Sequence, residues 1–403
     1  MQCRVCDGEN LELVLDLGDQ PWCNDFLTVD QVGKEPHYPL RLMYCTDCCT
    51  SQLSYTVKKE VMFGDHTYLS GMTKTLSDHF RNIAKDTYRR FLLGRQNMRV
   101  LDIGSNDGTQ LKHFQDLGCE VLGIESSLRT AEIANQNGVP TRNCFFNEET
   151  AEGLVGEQTA AFDLINASGV FFHLEELHSV CRGIKKALAD DGVFVVQFLY
   201  MKKIIENLAF DQIYHEHLLY YTLKTINHLL GRHGLQMFDA QIESIHGGSV
   251  IAYVGHPDKF EKEPRLEALI KAEEEDKTNA LETYMAFAEK VRKAKDDNIK
   301  FLKLAKSAGK KIFGMGAPVK GNTLLNYFGV GTDQIDCLLE INPLRANLYS
   351  PGQHIPVILE KDCTELPDIY YVLAWNFKDE ILRKNKDLVE KGVEFYFPVN
   401  VES

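Results

Sequence analysis

Apolar and polar positions along the chain switch between two periods, and the switches lay out its elements. Short runs dominated by apolar residues at 100–103, 120–125, 162–168 and 193–198 have the character of strands buried on both faces. Apolar residues recur at helical spacing around them. Phe80, Ile83, Ala84, Tyr88 and Phe91 precede the first run, and Leu177, Val180, Ile184 and Leu188 precede the last. Ser77 or Asp78 is the expected cap of the first helix. Ser126 and Ser127 are expected to cap another that runs to about Asn137, where Gly138-Val139-Pro140 stops it. Strands alternating with helices predict an α/β protein with a parallel sheet covered on both sides. A charged stretch at 260–308, marked by Leu266, Leu269, Ile270, Phe287, Val291 and Phe301, predicts solvated helices. Beyond it the strand pattern restarts at Lys311, with a second acid-ended strand at 336–340 and a late buried one at 370–376.

At 403 residues the chain is long enough for two or three domains. The pattern divides it into an N-terminal module at 1–60, a central domain at 61–258, a helical connector at 259–308 and a C-terminal domain at 309–403. A net charge of −14 argues against a nucleic-acid partner, which a strongly basic surface would favour. No apolar run approaches the roughly 20 residues that span a bilayer, so no membrane partner is expected. Eleven cysteines and a start, Met1 to Cys6, without a signal-peptide layout point to a reducing, cytoplasmic setting.

Four of those cysteines change the picture. Cys3 and Cys6, then Cys45 and Cys48, form two CxxC pairs with 38 residues between them, the spacing of a closed structural zinc site. Cys23 is expected to be packing, and Cys49 adjoins the second pair. A module this small needs such a staple to fold. The run VLDIGSNDGT, residues 100–109, holds Asp102, Gly104, Ser105, Asn106 and Gly108 in a glycine turn after a strand, and Glu125 ends the next strand. Strand, glycine turn, helix, strand and acid form a nucleoside-gripping layout, with the acid placed for ribose hydroxyls. Gly104, Glu125, Asn166 and Gln197 are expected to converge beyond the carboxyl ends of the strands.

The segment 213–221, IYHEHLLYY, packs two histidines, a carboxylate and three tyrosines into nine positions. Read as extended chain, it places Tyr214 and Glu216 on one face and His215 and His217 on the other. Either histidine suits a general base; a His215, Glu216 and His217 metal set is the other reading, though it lacks the helical HExxH geometry. Tyr68, in the loop before the first helix, reads as a surface tyrosine on spacing alone. His246, in a glycine turn before the strand 250–254, marks either a substrate-facing turn or a plain hairpin. In the C-terminal domain Gly316 to Glu340 spans 24 positions against 21 for Gly104 to Glu125, a degenerate repeat of the first unit. There Lys320 could meet a diphosphate or face solvent.

The DxGxxxG turn followed by an acid resembles the S-adenosylmethionine site of class I methyltransferases. The full set is more specific. The cysteine pairs, VLDIGSNDGTQL, YHEHLLYY, HGGS, GMGAPVKGNTLLNY and NPLRANLYSPGQHIPV resemble, nearly end to end, the bacterial C-3′-methyltransferases of nucleotide-linked keto-deoxyhexoses. The resemblance implies an N-terminal zinc-binding module, a central class I methyltransferase (Rossmann-like) domain and a C-terminal Rossmann-like domain. It implies a nucleotide-linked 4-keto-deoxyhexose substrate, S-adenosylmethionine as donor, structural Zn2+, and catalysis without metal. The family's active-site pattern matches Tyr214, Glu216 and His217, its upstream tyrosine Tyr68, and its mid-domain histidine His173. His217 is then the expected base at C-3′, Glu216 its orienting partner, and Tyr68 and His173 the oxyanion-side contacts. His246, Lys320 and Asn322 are the expected substrate contacts. Three positions depart from the family pattern: Gln197 replaces a frequent glutamate, Ile251 an arginine and Cys49 a glycine. An O- or N-methyltransferase of another small molecule is the alternative. A monomer is expected.

Overall fold

The computed structural model describes residues 1–63, 69–72, 74–157 and 161–399. Antiparallel strands β1 (Leu11–Pro21), β2 (His37–Cys45) and β3 (Ser51–Leu53) open the chain. The central sheet is parallel through β4 (Arg99–Ile103), β5 (Glu120–Glu125), β6 (Thr141–Asn143), β7 (Phe162–Ser168) and β8 (Leu188–Leu199). The chain then returns to the N-terminal sheet, where β9 (Leu219–Tyr220) pairs with β3. A hairpin of β10 (Gln236–Glu243) and β11 (Ser249–Gly255) extends the central sheet antiparallel to β8. Its order is β10-β11-β8-β7-β4-β5-β6. β4 is buried at every position, its charged Arg99 and Asp102 included, as a central strand covered on both faces must be.

The C-terminal sheet is wholly parallel. Strands β12 (Ile312–Met315), β13 (Cys337–Glu340), β14 (Val357–Leu359), β15 (Ile369–Val372) and β16 (Glu394–Tyr396) lie in the order β14-β13-β12-β15-β16. The two halves use their terminal acids alike. Glu125 accepts from the backbone N–H of Asn106 at 2.9 Å and of Ser127 at 2.8 Å. Glu340 accepts from Ala317 N–H at 3.2 Å and Asn342 N–H at 2.9 Å. Each carboxylate ties the turn after one strand to the chain leaving the next.

Three local expectations are corrected. The first helix, Lys74–Thr87, already includes Ser77 and Asp78, so neither caps it; Asp78 pairs with Lys74 and with Arg81 instead. The helix preceding β8 ends at Ala187, and Leu188 opens the strand. The charged stretch forms two helices, Pro264–Glu275 and Leu281–Ser307, whose markers Leu266, Phe287 and Val291 are buried.

Glu273 breaks the charged pattern by being buried. Its carboxylate accepts from Tyr200 Oη at 2.8 Å, Leu223 N–H at 2.6 Å, Lys224 N–H at 3.2 Å and Asn279 Nδ2 at 3.0 Å. Leu223 begins the helix Leu223–Arg232, so the anion sits at a helix N-terminus and satisfies donors that have no partner inside it. Glu273→Ala leaves those donors buried and unpaired, and a loss of about 3–5 kcal/mol is expected in urea unfolding. A loss no larger than that of an exposed glutamate would show the carboxylate to be dispensable. No helix among the described residues is long and apolar enough to cross a membrane.

Candidate active site

The two CxxC turns bring four sulfurs together. Cys3 Sγ lies 3.6 Å from Cys48 Sγ and Cys6 Sγ 3.6 Å from Cys45 Sγ, and all four lie within 4.8 Å of one another. Tetrahedral zinc with bonds of about 2.3 Å sets its sulfurs about 3.8 Å apart, so the cluster has the dimensions of a closed zinc site. The second turn needs the left-handed backbone at Cys49, φ 68°, where the resembling family carries glycine. Cys49 stays outside the cluster, 3.4 Å from Lys224 Nζ. Cys23 is buried and is not one of the four; its thiol faces the Thr323 side chain.

In the glycine turn the backbone is left-handed at Gly104 (φ 72°), Asn106 (50°) and Gly108 (78°). A Cβ on Gly104 would come within 2.3 Å of Val170 Cγ2, so this position needs glycine for space as well as for φ. Asn106 Oδ1 accepts from Ser70 N–H at 2.9 Å, and Asp107 Oδ2 from Gly71 N–H at 2.8 Å, which folds the preceding segment over the turn. Gly108 caps the helix Thr109–Asp116.

One cavity of about 1550 Å³ runs past this turn. Gly104, Asn106 and Glu125 line it, as do Tyr214, Glu216, His217, His173, His246 and Lys320. Gly316, Ala317 and Glu340 line it from the C-terminal sheet, and Asn24, Asp25 and Phe26 from the N-terminal module. Asp102 and Ser105 instead border a small void of about 20 Å³, and burial raises the Asp102 carboxyl well above the usual carboxylate range. Asn166 is fully buried opposite Asp102 in the sheet and does not reach the cavity. Gly108 also lies behind the lining. Tyr68 falls outside the described residues.

The segment holding the histidines is a turn and not an extended strand, because His217 N–H bonds to Tyr214 O at 2.8 Å. Tyr214 and Glu216 share the cavity side as expected, but the turn brings His217 there with them and separates it from His215. The Tyr214 and His217 rings meet with centroids 3.8 Å apart, while His215 Nε2 approaches Tyr38 O at 3.2 Å, away from the cavity lining. Among the described residues no metal set forms at 215–217. His217 Nδ1 lies 2.7 Å from Gln212 O. A carbonyl only accepts, so Nδ1 carries the proton and Nε2 the lone pair. Burial drives the His217 pKa well below its ordinary value, with His173 adding to the effect, so the ring is neutral. Gln212, and not Glu216, therefore orients His217.

Glu216 faces other partners. Trp22 Nε1 donates to its Oε1 at 2.7 Å, and Asn24 gives a second side-chain bond. Burial pushes its carboxyl up to about 7 against those two donors. The backbone carbonyl of Glu216 accepts from His173 Nδ1, and the His173 and His217 rings lie 5.2 Å apart. His246 has left-handed backbone, φ 57°, and lines the cavity with its side chain open to solvent. Gln197 binds His79 Nε2 at 2.8 Å, and Ile251 is buried beside it on β11.

Two expected substrate contacts are otherwise engaged. Lys320 reaches the cavity, but its ammonium lies 3.4 Å from Asp211 Oδ2 and 3.7 Å from the Trp375 ring centroid. Asn322 is buried, donates to Cys23 O at 2.7 Å and does not line the cavity, so it holds a neighbouring segment in place of a ligand. Trp22, Asp211 and Gln212 carry no spacing signal. The rarity of tryptophan, two in the chain, is the only hint the sequence offers for the first.

Three family models match the chain: a zinc binding domain at 3–63, a methyltransferase domain at 76–240 and a C-methyltransferase C-terminal domain at 244–400. The chain is 30% identical to C-methyltransferase NovU of Streptomyces niveus over 401 residues, 99% of this chain and 95% of that protein. It is 27% identical to a ubiquinone biosynthesis O-methyltransferase of Glaesserella parasuis over 103 residues, 24% of this chain and 44% of that protein. A solved methyltransferase from Anabaena variabilis superposes with a TM-score of 0.36 at 16% identity, covering 48% of this chain and 99% of that one.

Proposed function

From the chain's membership of the S-adenosylmethionine-dependent C-methyltransferase family, with its structural zinc, we propose that it methylates C-3′ of a nucleotide-linked 4-keto-deoxyhexose. One observation carries the reading. A single cavity of about 1550 Å³ takes in the Gly104–Glu125 turn, the His217 turn and the Gly316–Glu340 turn. Its volume exceeds the roughly 300–1,000 Å³ of a pocket built for one ligand, so it has room for a donor and a second, large molecule together.

S-adenosylmethionine supplies an electrophilic methyl on its sulfonium. Gly104, Asn106 and Glu125 are the residues that would hold it, Glu125 with lone pairs left over from two backbone bonds for the ribose hydroxyls. A 4-keto group acidifies the hydrogen at C-3′, because the carbanion delocalises as an enolate. His217 Nε2, neutral and held by Gln212, removes that proton. The Tyr214 hydroxyl, whose ionisation burial suppresses, remains a donor for the enolate oxygen. His173 spends Nδ1–H on Glu216 O, so it donates from Nε2 only as an imidazolium. Glu216 as a carboxylate offsets the positive charge that appears on His217. Lys320, although shared with Asp211, is one of several cations on the cavity lining open to the substrate's phosphates, with Arg345 and Lys384 among the others.

The ionisation of Glu216 gives a pH signature. Its two bonds come from donors that favour the anion, and its carboxyl titrates at about 7. Turnover is expected to rise about tenfold per pH unit up to that point and then level off. Glu216→Gln is expected to flatten this limb at a lower rate, and a limb that survived the substitution would belong to another group.

The deciding assay pairs methyl-labelled S-adenosylmethionine with 4-keto-6-deoxyhexoses linked to dTDP, GDP or CDP and reads the products by mass and carbon NMR. A new methyl on a quaternary C-3′ supports the reading. Donor binding without carbon methylation of any of them sinks it and puts an O- or N-methyltransferase first.

A further inference from the structure

The segment 211–217 carries His217, yet its two buried carboxylates are held from elsewhere in the chain. Trp22 Nε1 donates to Glu216 Oε1 at 2.7 Å, and Trp375 Nε1 donates to Asp211 Oδ2 at 2.6 Å. The chain has two tryptophans, and both commit their only polar atom to this segment. Trp22 comes from the stretch after β1, and Trp375 from the stretch after β15.

Each indole is itself anchored. Behind Trp22, Asn322 Nδ2 binds Cys23 O at 2.7 Å, Leu27 pairs with Tyr349, and the Arg345 guanidinium lies 4.7 Å from the Phe26 ring centroid. Trp375 is fully buried, with the Lys320 ammonium 3.7 Å from its ring centroid and 3.4 Å from the shared Asp211 oxygen. The segment in turn hands this placement to the site. Gln212, next to Asp211, gives its carbonyl to His217 Nδ1 and its Nε2 to His246 O at 2.9 Å.

We propose that Trp22 and Trp375 are positioning residues, two indole clamps from opposite ends of the chain that set His217 and Glu216 for proton removal. Neither touches the reacting atoms. Trp22 acts through Glu216, and Trp375 through Asp211 and the Gln212 carbonyl. A charge-assisted bond from a rigid ring fixes a carboxylate more firmly than a flexible donor could, since an indole has two torsions to lose. The catalytic consequence rests on the proton-removal reading given above; the hydrogen bonds themselves do not.

The test separates the two. Protein carrying isotope-labelled tryptophan shows two indole N–H resonances, assigned by Trp22→Phe and Trp375→Phe. Both are expected to be shifted and slow to exchange with water. The Trp22 signal is expected to titrate between about pH 5.5 and 8.5, and to lose that titration in Glu216→Gln. Asp211→Asn is expected to move only the Trp375 signal. Cys23 and Tyr214 also face Glu216, but burial raises both beyond this range; burial lowers His217, next in the chain, and His173 bonds to the Glu216 carbonyl, and Glu216→Gln distinguishes both histidines from the carboxyl. In turnover, Trp22→Phe is expected to lower kcat about 10–100-fold, with KM little changed and the acidic limb moved to higher pH, because a donor favouring the carboxylate is gone. An unshifted Trp22 signal that ignores both pH and Glu216→Gln overturns the clamp whatever the substrate is. Full kcat at every pH in Trp22→Phe, with the indole bond present in the parent, overturns the positioning role alone.

Discussion

His217→Asn is expected to abolish exchange of the substrate's C-3′ hydrogen with solvent deuterium and to lower methyl transfer by about 10²–10⁴-fold, the range of a lost general base. The exchange assay isolates the step, because it runs without donor and reads only proton removal. Asparagine nearly matches the imidazole in size and can still bond to Gln212 O, so the turn should persist. His217 is suited to the task by what it lacks. It has no carboxylate partner and no exposure, so burial keeps it unprotonated while Gln212 points its lone pair away from the backbone. A low pKa makes a weak base, and under the proposed reaction the balance would come from the acidified C-3′ hydrogen and from the Glu216 carboxylate. Exchange at the parent rate in His217→Asn would transfer the role to Glu216, whose carboxyl near 7 is the better matched to neutral pH.

Removing the zinc is expected to stop turnover although no cysteine ligand lines the cavity. Folding free energy in small zinc modules is largely metal-binding free energy. The module delivers Trp22 and Asn24 to Glu216, and a displacement of about 1 Å in such a group can cost about 10²-fold in rate. Chelation, or Cys48→Ala, should therefore lower kcat by at least that factor while donor binding at the Gly104 turn survives. Equal loss of donor affinity and turnover would mean that the whole chain unfolds. Full activity in protein assayed free of zinc would detach the module from catalysis.

How much of this could be read from residues alone depended on how local the cause was. The glycine turn was legible because φ and a nearby Val170 permit little else at Gly104, and the consequence stays within one strand and one helix. The four sulfurs were legible because CxxC is its own geometry. The 213–217 segment was misread as extended, since two flanking domains and not its own periodicity hold it as a turn. Glu216 and Trp22 stand 194 positions apart, and nothing in either neighbourhood announces the pairing. Asn322 sits in a motif that looks made for a ligand and is spent on the Cys23 carbonyl. A buried amide and a binding amide look the same until the fold decides which way they point.

The two-residue strand β9 has a consequence for anyone recombining such enzymes. It leaves the His217 turn directly and completes the N-terminal sheet against β3, with Ser51 opposite Tyr220 and Gln52 opposite Leu219. An exchange of modules between relatives at a cut near residue 60 would leave that short edge facing a stranger's strand. An unpaired or mismatched edge invites pairing between chains. The structural unit is thus discontinuous: the cysteine module and the His217 turn form one piece built from two separate stretches of chain, and chimeras that keep them together are the ones expected to stay soluble and active.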